Sequence, residues 1–155
     1  MKKLMLIVAL FTVTNIYAQN VDDAIALLKS DVQSDKIAII TEEMAFTEQQ
    51  SEIFWPIYSD FSNELSKLAD TRIANIKDFA ANYDSLTDKK ADQLINASFK
   101  FQKDRLSLNE KYYSKFAKAL TPTVAAKYMQ LEHALQLIID LSITSNLPLA
   151  KKPGE

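Results

Sequence analysis

Apolar residues between positions 48 and 82 recur at the spacing of an α-helix. Successive apolar positions are three or four residues apart, with one longer step that spans Arg72, so they form a stripe close to a heptad repeat. The stripe consists of Phe54, Tyr58, Phe61, Leu65, Leu68, Ile76 and Phe79. Pro56 lies in the third turn of this helix, and a proline at that place predicts a kink.

A second long helix is predicted between positions 88 and 119. Its inward face carries Leu94, Phe101, Leu108, Tyr112 and Phe116, and Ile95, Phe99, Leu106 and Tyr113 lie beside that face. Only the short segment from Tyr83 to Leu86 lies between this predicted helix and the preceding one. The two helices are therefore predicted to form an antiparallel hairpin.

A third pattern runs from Pro122 to about Thr144. Val124, Tyr128, Leu131, Leu135 and Ile138 are predicted to point inward, and Leu137, Ile139, Leu141 and Ile143 make the end of the helix apolar on more than one side. Pro148 and Pro153 stop the helical pattern. Residues 146–155 are accordingly predicted to be a flexible tail.

Three threonines mark the helix starts. Thr47, Thr87 and Thr121 each follow an apolar residue and precede a helical pattern. A threonine N-cap accepts a hydrogen bond from a free backbone N–H of the first turn, and Gln50, three residues after Thr47, completes a capping box. Pro122 suits the first helical position, where its missing N–H is not needed. Helices are therefore predicted to start near positions 48, 88 and 122.

The region before Phe46 is predicted to be helical as well. Ile25, Leu28 and Val32 are in helical register, whereas Ile37-Ala38-Ile39-Ile40 favours a strand by propensity alone. A lone strand would have no partner elsewhere in the chain, so this segment too is assigned to a helix. The expected fold is all-α, with four helices, a long central antiparallel hairpin and a single domain over residues 19–145.

The first 18 residues have the layout of a secretory signal peptide. Lys2 and Lys3 precede an apolar run of about ten residues, too short for the ~20 that span a bilayer, and Ala18 offers a small residue at the cleavage point. An uncleaved membrane anchor is the alternative. Export of a chain without cysteine suits a bacterial periplasm, so the expected localisation is periplasmic, with cleavage near Ala18.

Composition excludes several function classes. The only glycine is Gly154, which rules out glycine-dependent nucleotide loops, and the lack of cysteine removes thiolate metal sites and thiol nucleophiles. Without Lys2 and Lys3 the chain keeps 16 of its 18 basic residues against 20 acidic ones, a net charge of −4 that disfavours nucleic acid. His133 is the only histidine, so we expect no metal site, no cofactor and no catalytic triad.

Two arginines and one glutamate lie on the predicted apolar stripes. Arg72 stands between Leu68 and Ile76, Arg105 between Phe101 and Leu108, and Glu132 follows Leu131. A partly buried ion-pair network of Arg72, Arg105 and Glu132 that fixes helix register is expected, with a catalytic role as the weaker alternative.

The densest aromatic cluster is Phe54-Trp55-Pro56-Ile57-Tyr58. Consecutive large apolar residues cannot all face one core, so Trp55 either packs on the N-terminal helix or is exposed at a binding surface. Packing in the core is the favoured alternative, because large exposed aromatic patches are uncommon. If the cluster binds a partner, the candidate contacts are Phe46, Phe54, Trp55 and Tyr58.

The helix starts resemble those of the Spy/CpxP-like periplasmic proteins, the LTxxQ family. Phe46-Thr47-Glu48-Gln49-Gln50 has Phe in place of Leu, and Leu120-Thr121-Pro122-Thr123-Val124 keeps Leu-Thr but has Val124 in place of Gln. The resemblance spans roughly residues 22 to 146. It implies a four-helix, long-hairpin fold that often dimerises, with chaperones, a stress-kinase inhibitor and metal sensors among the members. The acidic mature chain departs from the basic chaperones. It also departs from the metal sensors, because it has a single histidine and lacks those that the sensors use.

The expected function is therefore a non-enzymatic periplasmic protein that binds non-native or membrane-associated proteins, either chaperone-like or related to envelope stress. Contact would be made through apolar and aromatic patches, without nucleotide or nucleic acid. The alternative is a sensor or regulator that binds a small ligand or metal and controls a membrane partner. The sequence leaves open whether the protein is a monomer or a homodimer.

Overall fold

A computed structural model describes residues 32–152, which fold into four α-helices and a short 3-10 turn. The helices are α1 (Val32–Met44), α2 (Glu48–Asn82), α3 (Asp88–Ala119) and α4 (Pro122–Ser145), and the 3-10 turn Tyr83–Ser85 lies between α2 and α3. No strand occurs within this range. The all-α class and the long hairpin are confirmed. The predicted signal peptide, the predicted helix over residues 21–31 and residues 153–155 lie outside the described residues.

The predicted threonine caps form at all three places. Thr47, Thr87 and Thr121 each accept a hydrogen bond from the backbone N–H three residues later, at 3.2 Å. Gln50 returns a bond by accepting from the Thr47 N–H at 3.1 Å, which completes the capping box. Helix starts at 48, 88 and 122 are thus correct, and α2 runs without interruption through Pro56.

A single left-handed residue connects α1 to α2. Ala45 has φ of 46°, a conformation that glycine adopts most easily and that costs an alanine about 1 kcal/mol. In the short link of residues 45–47, Phe46 lies against the start of α2, with its ring centre 4.5 Å from that of Phe54.

Helices α2 and α3 pack side by side in opposite directions. Lys111 of α3 pairs with Glu64 of α2 at 2.7 Å, and Lys90, near the start of α3, pairs with Asp78, near the end of α2, at 3.0 Å. Helix α4 packs against α3, and α1 packs against the first half of α4. This arrangement gives the bundle two ends, one at α1 and one at the turn between α2 and α3.

The described core has two parts. The aromatic core lies at the α1 end and comprises six rings, packed with Ile40, Met44, Leu108 and Ala125: Phe54, Tyr58, Phe61, Tyr112, Phe116 and Tyr128. The aliphatic core lies towards the hairpin turn and comprises Ile73, Ile76 and Ile143, with Ala80, Ile139 and Leu147 partly buried against it.

The segment predicted to be a flexible tail lies against the hairpin turn as far as it is described. Leu147 packs on the aliphatic core, and the Lys151 ammonium pairs with Asp84 at 2.6 Å while lying 4.7 Å from the centre of the Tyr83 ring. These contacts join Leu147 and Lys151 to the hairpin end, while Leu149 is 90% exposed, and the flexibility of the tail stays a prediction. In the described residues, no helix has the length and apolar character needed to cross a membrane.

Candidate functional site

The predicted aromatic contact residues lie mainly inside the protein. Phe54 is fully buried and its ring stacks on Phe116 at 5.0 Å, and Tyr58 is buried beside it. Phe54 and Tyr58 were therefore wrong as contacts for a partner. Trp55 and Phe46 are partly buried and pack on the aromatic core, Trp55 edge-on to Phe54 at 5.1 Å. The core alternative describes this cluster better than the binding alternative.

The expected network of Arg72, Arg105 and Glu132 is two separate sites. Both arginines pair with Asp140, which lies eight residues after Glu132 on α4. Glu132 pairs instead with Lys36 of α1 at 2.8 Å. The single network was wrong because eight residues of helix separate Glu132 from Asp140 by about 12 Å, beyond the reach of one shared ion pair.

Glu132 is the buried polar centre of the α1 end. Only 1% of the residue is exposed, and its carboxylate accepts hydrogen bonds from Lys36 Nζ and Gln136 Nε2, both at 2.8 Å. Burial, and next the nearby negative charge of Glu132, raise the pKa of Tyr58 to about 12, and the same two causes raise the pKa of Tyr128. Both phenols therefore stay protonated at neutral pH, and the site holds α1 against α4 rather than offering a reactive group.

Asp140 of α4 is the carboxylate of the second site, which lies level with the middle of α3 because Arg105 pairs with it. Arg105 donates to both carboxylate oxygens at 3.0 and 2.8 Å, and Arg72 donates to one of them at 2.5 Å. Burial of Asp140 opposes its ionisation, but the hydrogen bonds from Arg105 and Arg72 outweigh that effect and hold the pKa of the carboxyl below its ordinary value. Both guanidinium groups also lie against the Phe101 ring, at 5.3 and 5.1 Å from its centre.

A cavity opens next to this arginine pair. It has a volume of about 590 Å³ and lies between α2, α3, the end of α4 and the segment that follows α4. Its walls are mainly apolar and include Ile76, Phe79, Leu94 and Leu147, while Arg72, Arg105 and Asp140 also line it. The size falls in the range of small-molecule sites, which are commonly apolar with a few convergent polar groups.

A row of large apolar side chains is exposed on α3 and continues on α4. Its α3 members have spacings of four, seven and seven residues, which places them on one side of the helix. We call the following set the outer apolar face: Ile95, Phe99, Leu106 and Tyr113 of α3, with Leu137 and Leu141 of α4. Leu106 and Leu141 directly follow the paired Arg105 and Asp140, so both halves of the face reach the same level of the bundle.

The sequence pattern indicated the outer apolar face, but the predicted binding residues did not include any of its members. The α3 residues were placed beside the inward stripe, and the end of α4 was described as apolar on more than one side. Ile138, which was expected to point inward, is 63% exposed, so the corresponding prediction was wrong. The exposed position of Ile138 follows from the register of α4, in which Glu132, Gln136 and Ile143 face the interior.

His133 is exposed on α4. Within residues 32–152, no three histidine, cysteine or acidic side chains come close enough together to hold a metal ion. Comparison of the chain with protein-family models, with characterised proteins and with solved structures finds no match in any of the three. The resemblance to the LTxxQ family therefore stays a prediction from the sequence.

Proposed function

We propose that this chain is a non-enzymatic, chaperone-like protein of the bacterial periplasm that holds non-native or membrane-associated proteins during envelope stress. The outer apolar face is the observation that carries the proposal. Phe99 is 51% exposed, Leu106 60% and Leu141 71%. A row of exposed large apolar side chains of this kind is typical of protein-binding sites.

The chemistry of the face favours an apolar segment of a non-native chain as its partner. Lys103 and Glu110 are exposed and lie four residues after Phe99 and Leu106, so charges of both signs border the apolar row. A surface with mixed charges does not select partners by net charge, whereas apolar side chains of any unfolded segment can pack on Phe99 and Leu106. Reversible holding without nucleotide follows from this kind of contact.

The periplasmic part of the proposal rests on the signal-peptide layout of residues 1–18. The basic start at Lys2 and Lys3, the short apolar run and Ala18 support export and cleavage. Mass determination of the protein recovered from a periplasmic fraction tests it. We expect a chain that starts near Gln19, and a full-length chain in the membrane fraction would contradict export as a free protein.

An aggregation assay tests the holding function. Citrate synthase diluted from guanidinium chloride scatters light as it aggregates, and an equimolar amount of the protein without its first 18 residues should suppress that scattering. Phe99→Ser combined with Leu106→Ser should abolish most of the suppression. The matched control is Ile37→Ser with Ile39→Ser, which removes two exposed apolar side chains from α1. Absence of suppression, or equal loss in both variants, would contradict the proposal.

A small-ligand sensor is the second candidate, and the cavity beside Arg72 and Arg105 is the observation that favours it. A holding surface needs no enclosed space, whereas a sensor needs a site for its ligand. The two sites share Ile95, but Phe99 and Leu106 do not line the cavity, so the two candidates can be tested separately.

A further inference from the structure

The cavity at the hairpin end has the shape and lining of a site for an elongated ligand. It extends along α3 from Arg105 to Ala91, a distance of about 21 Å at the rise of an α-helix. Apolar side chains form most of the wall between these residues, among them Phe79, Leu86, Leu94 and Ile95. An apolar chain lying along this wall would remove both surfaces from water.

One end of the cavity carries an excess of positive charge. The Arg72 and Arg105 side chains are 18% and 20% exposed, and Asp140 is the one carboxylate among residues 32–152 that forms an ion pair with either of them. Each guanidinium has five N–H donors, but only three hydrogen bonds join the two groups to Asp140. Two cations that are four-fifths buried thus share a single anion.

The other acidic residue that lines the cavity does not balance this charge. Asp92 lies 13 residues before Arg105 on α3, about 20 Å away along the helix, and its carboxylate accepts a hydrogen bond from Asn96. The arginine end therefore keeps a net charge of about +1, since screening by water is weak at partly buried groups.

We propose that this cavity binds an alkyl carboxylate, with the carboxylate between the guanidinium groups of Arg72 and Arg105 and the alkyl chain along the apolar wall. Guanidinium recognises a planar carboxylate through paired N–H bonds, and Phe101 holds both guanidinium groups at the cavity wall. A monoanion balances the single excess charge. A phosphate dianion would leave an unbalanced negative charge beside Asp140.

Calorimetric titration of the chain without its first 18 residues tests this site with three probes that share one alkyl chain. Dodecanoate and dodecyltrimethylammonium are added below their critical micelle concentrations, and dodecanol is added below its solubility limit. We expect one dodecanoate per chain, with at least tenfold weaker binding of the other two probes. Equal binding of dodecanol would show that the arginines do not recognise the carboxylate, and it would overturn the proposal. Absence of dodecanoate binding would overturn it as well.

Two variants locate the site. Arg105→Met should weaken dodecanoate binding at least tenfold, whereas the control Lys100→Met removes an exposed α3 cation that does not line the cavity and should have no effect. Ala97→Trp places a large ring in the cavity from an exposed position and should abolish binding with both arginines intact. Unchanged binding in Ala97→Trp contradicts the location even if Arg105→Met fails to fold.

The result is distinguishable from that of the aggregation assay, because Phe99 and Leu106 do not line the cavity. An apolar peptide with a free C-terminal carboxylate is the competing occupant. Tight binding of such a peptide that dodecanoate does not displace would overturn the proposal in favour of a peptide site. Displacement of the peptide by dodecanoate would support the alkyl carboxylate.

Discussion

The two ends of the bundle bury their side chains in different ways. At the α1 end, the Phe116 ring lies 4.8 Å from Tyr128 and 5.0 Å from Phe54, so the rings pack in mutual contact. At the hairpin end, three isoleucines form the buried core, and a cavity of about 590 Å³ lies beside them. The dense end fixes the fold, and the loose end offers space to a ligand.

The described elements that surround the two ends also differ. The described helix α1 (Val32–Met44) packs against the first half of α4, so four helices surround the aromatic core. Only α2, α3, α4 and the segment 146–152 enclose the hairpin end within the described residues. The polar side chains of Arg72, Arg105 and Asp140 occupy part of the space between the long helices at this end.

Truncating one phenylalanine at each end should give the largest contrast. Phe54→Ala removes a fully buried ring from the aromatic core and should lower the free energy of unfolding by about 4 kcal/mol. Phe79→Ala removes a partly exposed ring that borders the cavity, and we expect a loss of about 1 kcal/mol. Urea denaturation of both variants provides the measurement. Equal losses would show that the two ends are packed alike.

Removal of one cation should also destabilise the protein more at the α1 end than at the hairpin end. Lys36→Met leaves the buried Glu132 carboxylate without its cation, which should lower the free energy of unfolding by about 3 kcal/mol. Arg105→Met should lower it by about 1 kcal/mol, because Arg72 still pairs with Asp140 and water reaches the site. Both values come from urea denaturation at pH 7.

A double variant separates lost pairing from lost packing at the α1 end. Lys36→Met combined with Glu132→Leu removes both charges from the buried site, and it should recover most of the stability that Lys36→Met loses. A double variant as unstable as Lys36→Met alone would mean that the ammonium stem, and not the charge, holds α1 against α4.

The helix boundaries could be predicted because their signals are local. Thr47, Thr87 and Thr121 bond to backbone groups three residues away, so a short stretch of sequence contains both partners. The apolar stripe of α3 needed only helical periodicity, and Leu94, Phe101, Leu108, Tyr112 and Phe116 are all buried as expected. These features do not depend on how the helices are placed relative to one another.

The side-chain partners could not be predicted in the same way. Arg72 and Arg105 were correctly placed near the apolar stripes, but their carboxylate depends on the register between α3 and α4. A shift of two helical turns exchanges Glu132 for Asp140 as the nearest acid, and the sequence does not encode that shift locally. The cavity likewise depends on how α2, α3, the end of α4 and the following segment come together, a property of the assembled bundle.

The smallest expected effect concerns pH and the hairpin end. The pKa of Asp140 is lower in the folded protein than in the unfolded chain, where it is about 4. Folding is therefore stabilised by Asp140 above about pH 4, and this contribution is lost as the pH falls through the folded pKa. Asp140→Asn should lower the free energy of unfolding by about 1 kcal/mol at pH 7 and flatten its decline below pH 4.

Glu64→Gln is the variant for comparison. Hydrogen bonds from Lys111 and Tyr112 lower the pKa of Glu64, so the stability that Glu64 contributes is also lost as the pH falls. Urea denaturation from pH 7 to pH 2 should show that each variant lacks part of the decline of the parent chain. Identical curves for Asp140→Asn and the parent chain would mean that the arginine pair adds no stability through Asp140.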